Sequence, residues 1–121
     1  MKAESIAKES IEKLEWKGML FDFYGELLTE HQKKIYENAI FDDLSLSEIA
    51  SEQGISRQGV HDLIKRCDKL LAGYEEKLHL VERFLSVKEK VHQIDGLLAE
   101  AEENQLIQKI RKISSEIIEE L

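Results

Sequence analysis

Apolar residues recur along this chain at three- and four-residue steps almost from end to end, the period of a helix face rather than the alternation of a strand. Over residues 2 to 15 the stripe is thin, with Ile6, Ile11 and Leu14 set among alternating Lys and Glu, which suits a solvated helix with one narrow apolar side. From Trp16 it thickens. Met19, Leu20, Phe23, Tyr24, Leu27 and Leu28 predict a helix packed into a core. Thr29 then reads as a cap that forms a capping box with Gln32, and the next helix carries Ile35, Tyr36, Ala39 and Ile40 inward until Asp42-Asp43 breaks the pattern. The aromatic residues Trp16, Phe21, Phe23, Tyr24, Tyr36 and Phe41 fall at helical spacing, so core packing is the expected role ahead of a stacking platform for single-stranded nucleic acid.

Leu46 to Arg66, LSEIASEQGISRQGVHDLIKR, combines two helical segments and a tight turn at fixed offsets. Ser47 is the expected cap of a short helix with Ile49 and Ala50 facing inward, the small Ala50 allowing a second helix to cross closely. Gly54 supplies the left-handed residue of a sharp turn, and Ile55 follows as an apolar plug. Ser56 caps the second helix, whose Val60, Leu63 and Ile64 turn inward. Arg57, Gln58, His61, Asp62 and Lys65 are left on the outer face, where a recognition helix would meet base edges and phosphates. The stretch reads as a helix-turn-helix with Ala50 buried at the crossing.

Beyond Arg66 the stripe continues through Leu70, Tyr74, Leu78, Val81, Phe84, Leu85, Val87, Val91 and Ile94. A single helix from Arg57 to Asp95 would be about 58 Å long at 1.5 Å per residue, too far for one small domain to cover. Either the helix breaks near Ala72-Gly73 or a partner covers it. Asp95-Gly96 is the strongest stop signal in this half, after which a last helix sets Leu106, Ile110, Ile113, Ile117 and Leu121 on one face. That helix could fold back over the stripe. The stripe otherwise predicts a homodimer built on Leu78, Val81, Phe84, Leu85 and Val91. The expected organisation is a helical domain over residues 1–72 and a C-terminal helical extension over 73–121.

Composition sharpens the fold class. The chain has 121 residues, no proline and 35% charged residues, so an all-α fold is expected. Its single cysteine, Cys67, excludes an internal disulfide and is expected as a buried packing residue in a cytoplasmic protein. No apolar run reaches the roughly 20 residues of a membrane span, so no membrane insertion is expected. Net charge is −8, with a helix-turn-helix that is locally neutral and an acidic C-terminal segment. With one cysteine and His31, His61, His79 and His92 scattered, no metal site is expected; with no glycine-rich phosphate loop, no cofactor is expected either. The carboxylates lie in solvated Glu/Lys faces rather than in a desolvated pair, so an enzyme is not predicted.

The pieces FDFY (Phe21 to Tyr24), LLT (Leu27 to Thr29), DDLSLSEIA (Asp42 to Ala50), SRQ (Ser56 to Gln58), IKR (Ile64 to Arg66) and YEEKL (Tyr74 to Leu78) resemble the YlxM-like family of small bacterial proteins. The resemblance runs from about Leu20 to Phe84. It implies a domain similar to region 4 of bacterial sigma factors, a DNA-binding fold and a regulatory role in the signal recognition particle pathway. Gly59 stands where that family usually has Ala, His61 where Tyr is usual and Leu63 where Asn is usual, so part of the recognition helix is rewritten.

Two functions are weighed. In the first, Ser56, Arg57, Gln58, His61, Asp62, Lys65 and Arg66 bind duplex DNA, with Arg57 and Gln58 at bases or phosphates and Lys65 and Arg66 on the backbone. In the second, the fold is an interaction module for signal recognition particle protein or RNA.

Overall fold

A computed structural model describes the backbone from Lys2 to Leu121 and the side chains from Glu12 onward, so the expectations at Ile6 and Ile11 lie outside the described residues. The protein is all-α, and no strand occurs among the described residues. Helix α1 (Lys2–Tyr24) runs into a short 3-10 turn (Gly25–Leu27). Then follow α2 (Glu30–Ile40), α3 (Leu46–Gln53), α4 (Arg57–Leu78), α5 (Leu80–Glu100) and α6 (Gln105–Glu120).

Local side chains set these boundaries. The Thr29 hydroxyl accepts from Gln32 N at 3.2 Å while the Gln32 side chain accepts from Thr29 N, which is the expected capping box. At α3 the cap is Ser45 rather than Ser47: Ser45 Oγ accepts from Glu48 N at 3.1 Å and Glu48 reciprocates. The physical reason is the glutamate three residues on, which Ser47 lacks. The chain divides into two compact units, Met1–His79 and Leu80–Leu121.

The first unit has a core of Ile35, Ile49 and Val60, all fully buried, with Ala39, Leu44, Leu46, Ala50, Ile55, Leu63 and Ile64 packed against it. Leu20, Tyr24, Leu28, Tyr36, Cys67 and Leu71 are buried as well. Phe21 stacks on Tyr36 at 5.6 Å between centroids and Tyr24 meets Tyr74 at 6.0 Å, so helix packing absorbs most of the aromatic set. Trp16, Leu27 and Phe41 remain exposed. Polar ties reach α4 from both neighbours. Tyr36 donates to Asp68 Oδ1 at 2.7 Å, Lys17 reaches Asp68 Oδ2 at 3.3 Å, and the buried Tyr24 hydroxyl donates to Glu75 at 2.6 Å.

Helix α4 passes straight through Ala72-Gly73, because Leu71 and Glu75 on either side are buried and anchor the turn. A glycine costs only about 1 kcal/mol in a helix interior, which such packing outweighs. The helix ends instead at His79, held left-handed at φ 55°, with its N–H on the Glu75 carbonyl at 2.8 Å. The long single helix from Arg57 to Asp95 is therefore not formed.

The second unit is a hairpin of α5 and α6. Helix α5 continues past Asp95-Gly96 to Glu100, so the expected stop there is overridden by burial of Val91 and Leu98. Asn104 caps α6 by accepting from Ile107 N at 3.0 Å. The face of α6 turned to α5 carries Ile107, Arg111, Ser114 and Ile118. Arg111 donates to the Leu98 carbonyl at 3.1 Å and to Glu103 at 3.3 Å. The last helix does fold back on α5, the alternative to a dimer, but Leu106, Ile113 and Leu121 stay at least half exposed, while Ile110 and Ile117 are partly covered at the edge of the contact.

Candidate nucleic-acid interface

The turn between α3 and α4 is built as the residue types require. Gly54 sits at φ 68°, in the left-handed region, and its N–H bonds the Ala50 carbonyl. Ile55 is half-buried against the core, and Ser56 Oγ accepts from Gly59 N at 2.9 Å to start α4. Ala50 is half-buried rather than fully buried: it packs against the core on one side and keeps an open edge on the other.

Val60, Leu63 and Ile64 turn inward, which leaves one face of α4 outside. Ser56, Arg57, Gln58, Asp62, Lys65 and Arg66 are exposed and His61 is half-buried, so the seven predicted residues lie together at and along the start of one helix. Their charges are not equivalent. Gln58 Nε2 donates to Asp62 Oδ1 at 2.9 Å, an i,i+4 pair that partly neutralises the acceptor face of Asp62. His61 Nδ1 lies 3.7 Å from the same Oδ1, outside hydrogen-bond range. Two open depressions mark this face. One of about 510 Å³ is lined by Leu46, Arg57, Gln58 and His61, and one of about 220 Å³ by Asp62, Lys65, Arg66 and Lys69.

Lys69 is the residue that the sequence reading missed. It follows Lys65 by four and Arg66 by three, and so extends their face by one turn. The neighbouring Asp68 turns the other way, to Tyr36 and Lys17, so its charge does not offset the outer strip. The exposed face of α4 thus carries Arg57, Lys65, Arg66 and Lys69 against Asp62. The signal was available in the spacing; only the assumption that the motif ends at Arg66 hid it.

The family described as UPF0122, "Putative helix-turn-helix protein, YlxM / p13 like", matches residues 11–114. The chain belongs to this family. Among similar relatives, UPF0122 protein YlxM of Bacillus subtilis is 41% identical over 108 residues, covering 86% of this chain and 98% of that protein. A UPF0122 protein of Thermoanaerobacter sp. strain X514 is 41% identical over 103 residues, 85% of this chain and 88% of the relative. One from Clostridium botulinum is 53% identical over 72 residues, 60% of this chain and 65% of its own. The match to the family extends well beyond the segment that carried the resemblance, to both units. The family is one of helix-turn-helix proteins rather than of enzymes.

At Gly59 an added Cβ would lie 3.0 Å from Ser56 Oγ, so the glycine gives the cap its room. Cys67 lies on the buried side of α4, and burial pushes its thiol up to about 11, which makes it a packing residue and a poor nucleophile. No described helix is long and apolar enough to cross a membrane. Of the residues expected at an oligomer interface, Val81 and Val91 are buried and Phe84 is half-buried, so they offer a partner little surface; Leu78 and Leu85 are exposed.

Proposed function

We propose that the protein is a non-enzymatic, cytoplasmic regulator that binds duplex DNA through α4. The observation that supports this reading is the exposed group Lys65, Arg66 and Lys69 on the second helix of the turn motif, with Arg57, Gln58 and His61 lining a separate depression at the helix start. Phosphate contacts by the cations position such a helix, and Gln58 and Arg57 are the side chains with base-reading geometry. Four cations displace few counterions, so binding is weak and falls with salt at a slope of about −3 to −4 in log affinity against log salt. Fluorescence anisotropy on duplex DNA at a series of salt concentrations measures it. A slope beyond about −6 overturns the assignment of contacts to this strip, and no saturable binding at low salt overturns the reading.

The net charge of −8 favours a second reading, in which the fold binds a basic protein component of the signal recognition particle pathway. Titration against purified particle protein and RNA in the same assay separates the two. Under the second reading the protein component binds and duplex DNA does not.

A further inference from the structure

Helix α6 carries one broad apolar arc, and the hairpin covers only one edge of it. Ile107, Ser114 and Ile118, with the stem of Arg111, pack toward α5, while Leu106, Ile110, Ile113, Ile117 and Leu121 remain 36 to 65% exposed. The first four of these follow a four-three-four spacing, the alternation that places side chains at the seam of a paired helix. Together they present several hundred Å² of contiguous apolar surface on a helix only about 24 Å long.

We infer that this face of α6 binds a second copy of the chain, with the two α6 helices antiparallel about a two-fold axis between Arg111 and Lys112. The four seam residues close on themselves in that register. Leu106 of one copy meets Ile117 of the second, Ile110 meets Ile113, and the axis repeats both layers. The charges beside the seam select the direction. Lys109 and Glu116 occupy the same flank seven residues apart, so an antiparallel partner sets Lys109 against Glu116 of the second copy, twice. A parallel partner would instead bring Lys109 to Ser114 and leave no charge pair on that flank. Both residues are exposed and have no ion-pair partner within 4.0 Å among the described residues. An isologous interface doubles the apolar area, and with the rims of the helices it reaches the roughly 1,000 Å² that a specific contact needs. This differs from the interface that the sequence stripe predicted, whose Val81 and Val91 are already covered.

The test is sedimentation equilibrium of the full chain at micromolar concentration. The wild-type protein should sediment at twice the chain mass of 14.0 kDa. Ile113→Glu replaces an exposed side chain, so its far-UV circular dichroism should be unchanged and its mass should fall to 14.0 kDa. Lys109→Glu should weaken the dimer about tenfold, and Lys109→Glu with Glu116→Lys in the same chain should restore it, since antiparallel pairing brings the exchanged charges together again. A wild-type monomer at hundreds of micromolar, a dimeric Ile113→Glu, or a double variant no tighter than Lys109→Glu alone overturns the inference. Each of these outcomes is read without DNA and is independent of what α4 binds.

Discussion

Replacing Tyr36 by Phe removes one oxygen from the first unit and tests how α4 is held. The Tyr36 ring is fully buried and its hydroxyl donates to Asp68 Oδ1 at 2.7 Å, so the substitution keeps the packing and deletes the bond. Burial, reinforced by the bond to Asp68, holds the hydroxyl well above the ordinary tyrosine range, which keeps it a donor throughout neutral pH. A hydrogen bond to a charged acceptor contributes about 1.5–3 kcal/mol. Asp68 retains 30% side-chain exposure and its contact with Lys17, both of which let the carboxylate find other partners. The lower end, about 1.5 kcal/mol, is therefore expected. With a urea dependence of about 1–2 kcal/mol per molar, the unfolding midpoint should fall by about 1 M. A double-mutant cycle with Asp68→Asn should return a coupling of about 1 kcal/mol, because the two residues share one bond. If Tyr36→Phe lowers stability by less than about 0.5 kcal/mol, or if the two substitutions add, the tie from α2 to α4 is not energetic and packing alone holds the helix.

Gly54→Ala should lower stability by about 1–2 kcal/mol in the same urea assay, purely from the left-handed backbone, since an added Cβ would meet nothing within 4 Å. Ala50→Glu should destabilise without abolishing folding, as read from the cooperativity of thermal unfolding, because the half-buried position lets the carboxylate reach water. The folded-state thiol of Cys67 is raised from 9.0 to about 11, so its contribution is whole below pH 9.0 and lost as pH rises toward about 11. That loss is on the order of 2–3 kcal/mol, which Cys67→Ala should remove from the alkaline limb of a stability-versus-pH curve. Lys69→Gln should reduce the salt slope of DNA binding by about 0.9 without changing which sequences are preferred.

The parts of the fold legible in the sequence are those written by local chemistry. The Thr29 box, the Gly54 turn and the Ser56 cap each involve residues within four positions of one another, and each forms as read. Ser45 was legible by the same rule, since Glu48 follows it by three, and was passed over for a serine without that partner. The stops at Ala72-Gly73 and Asp95-Gly96 failed because tertiary burial of Leu71, Val91 and Leu98 outweighs the weak preference of glycine. His79 carries no residue signature of a helix end, yet it adopts the left-handed conformation that closes α4. On α6 the apolar positions alone leave open whether that face packs on α5 or on a partner. The hairpin accepts Arg111, whose guanidinium caps the carbonyl of Leu98, an option that a count of hydrophobic positions does not register.

Between the stop at Gly54 and the start at Ser56 there is one residue, Ile55, and its side chain is part of the core. Ile55 and Val60 tie the turn to the core on both sides, so a single insertion or deletion here would pull Ile55 out of the core or shift the start of α4 against α3, moving Lys65 and Lys69 with it. Length variation is then expected in other connections. The segment before Asn104 can lengthen or shorten at small entropic cost, while the turn between α3 and α4 cannot. Family members that differ in size should carry their gaps outside residues 54–56.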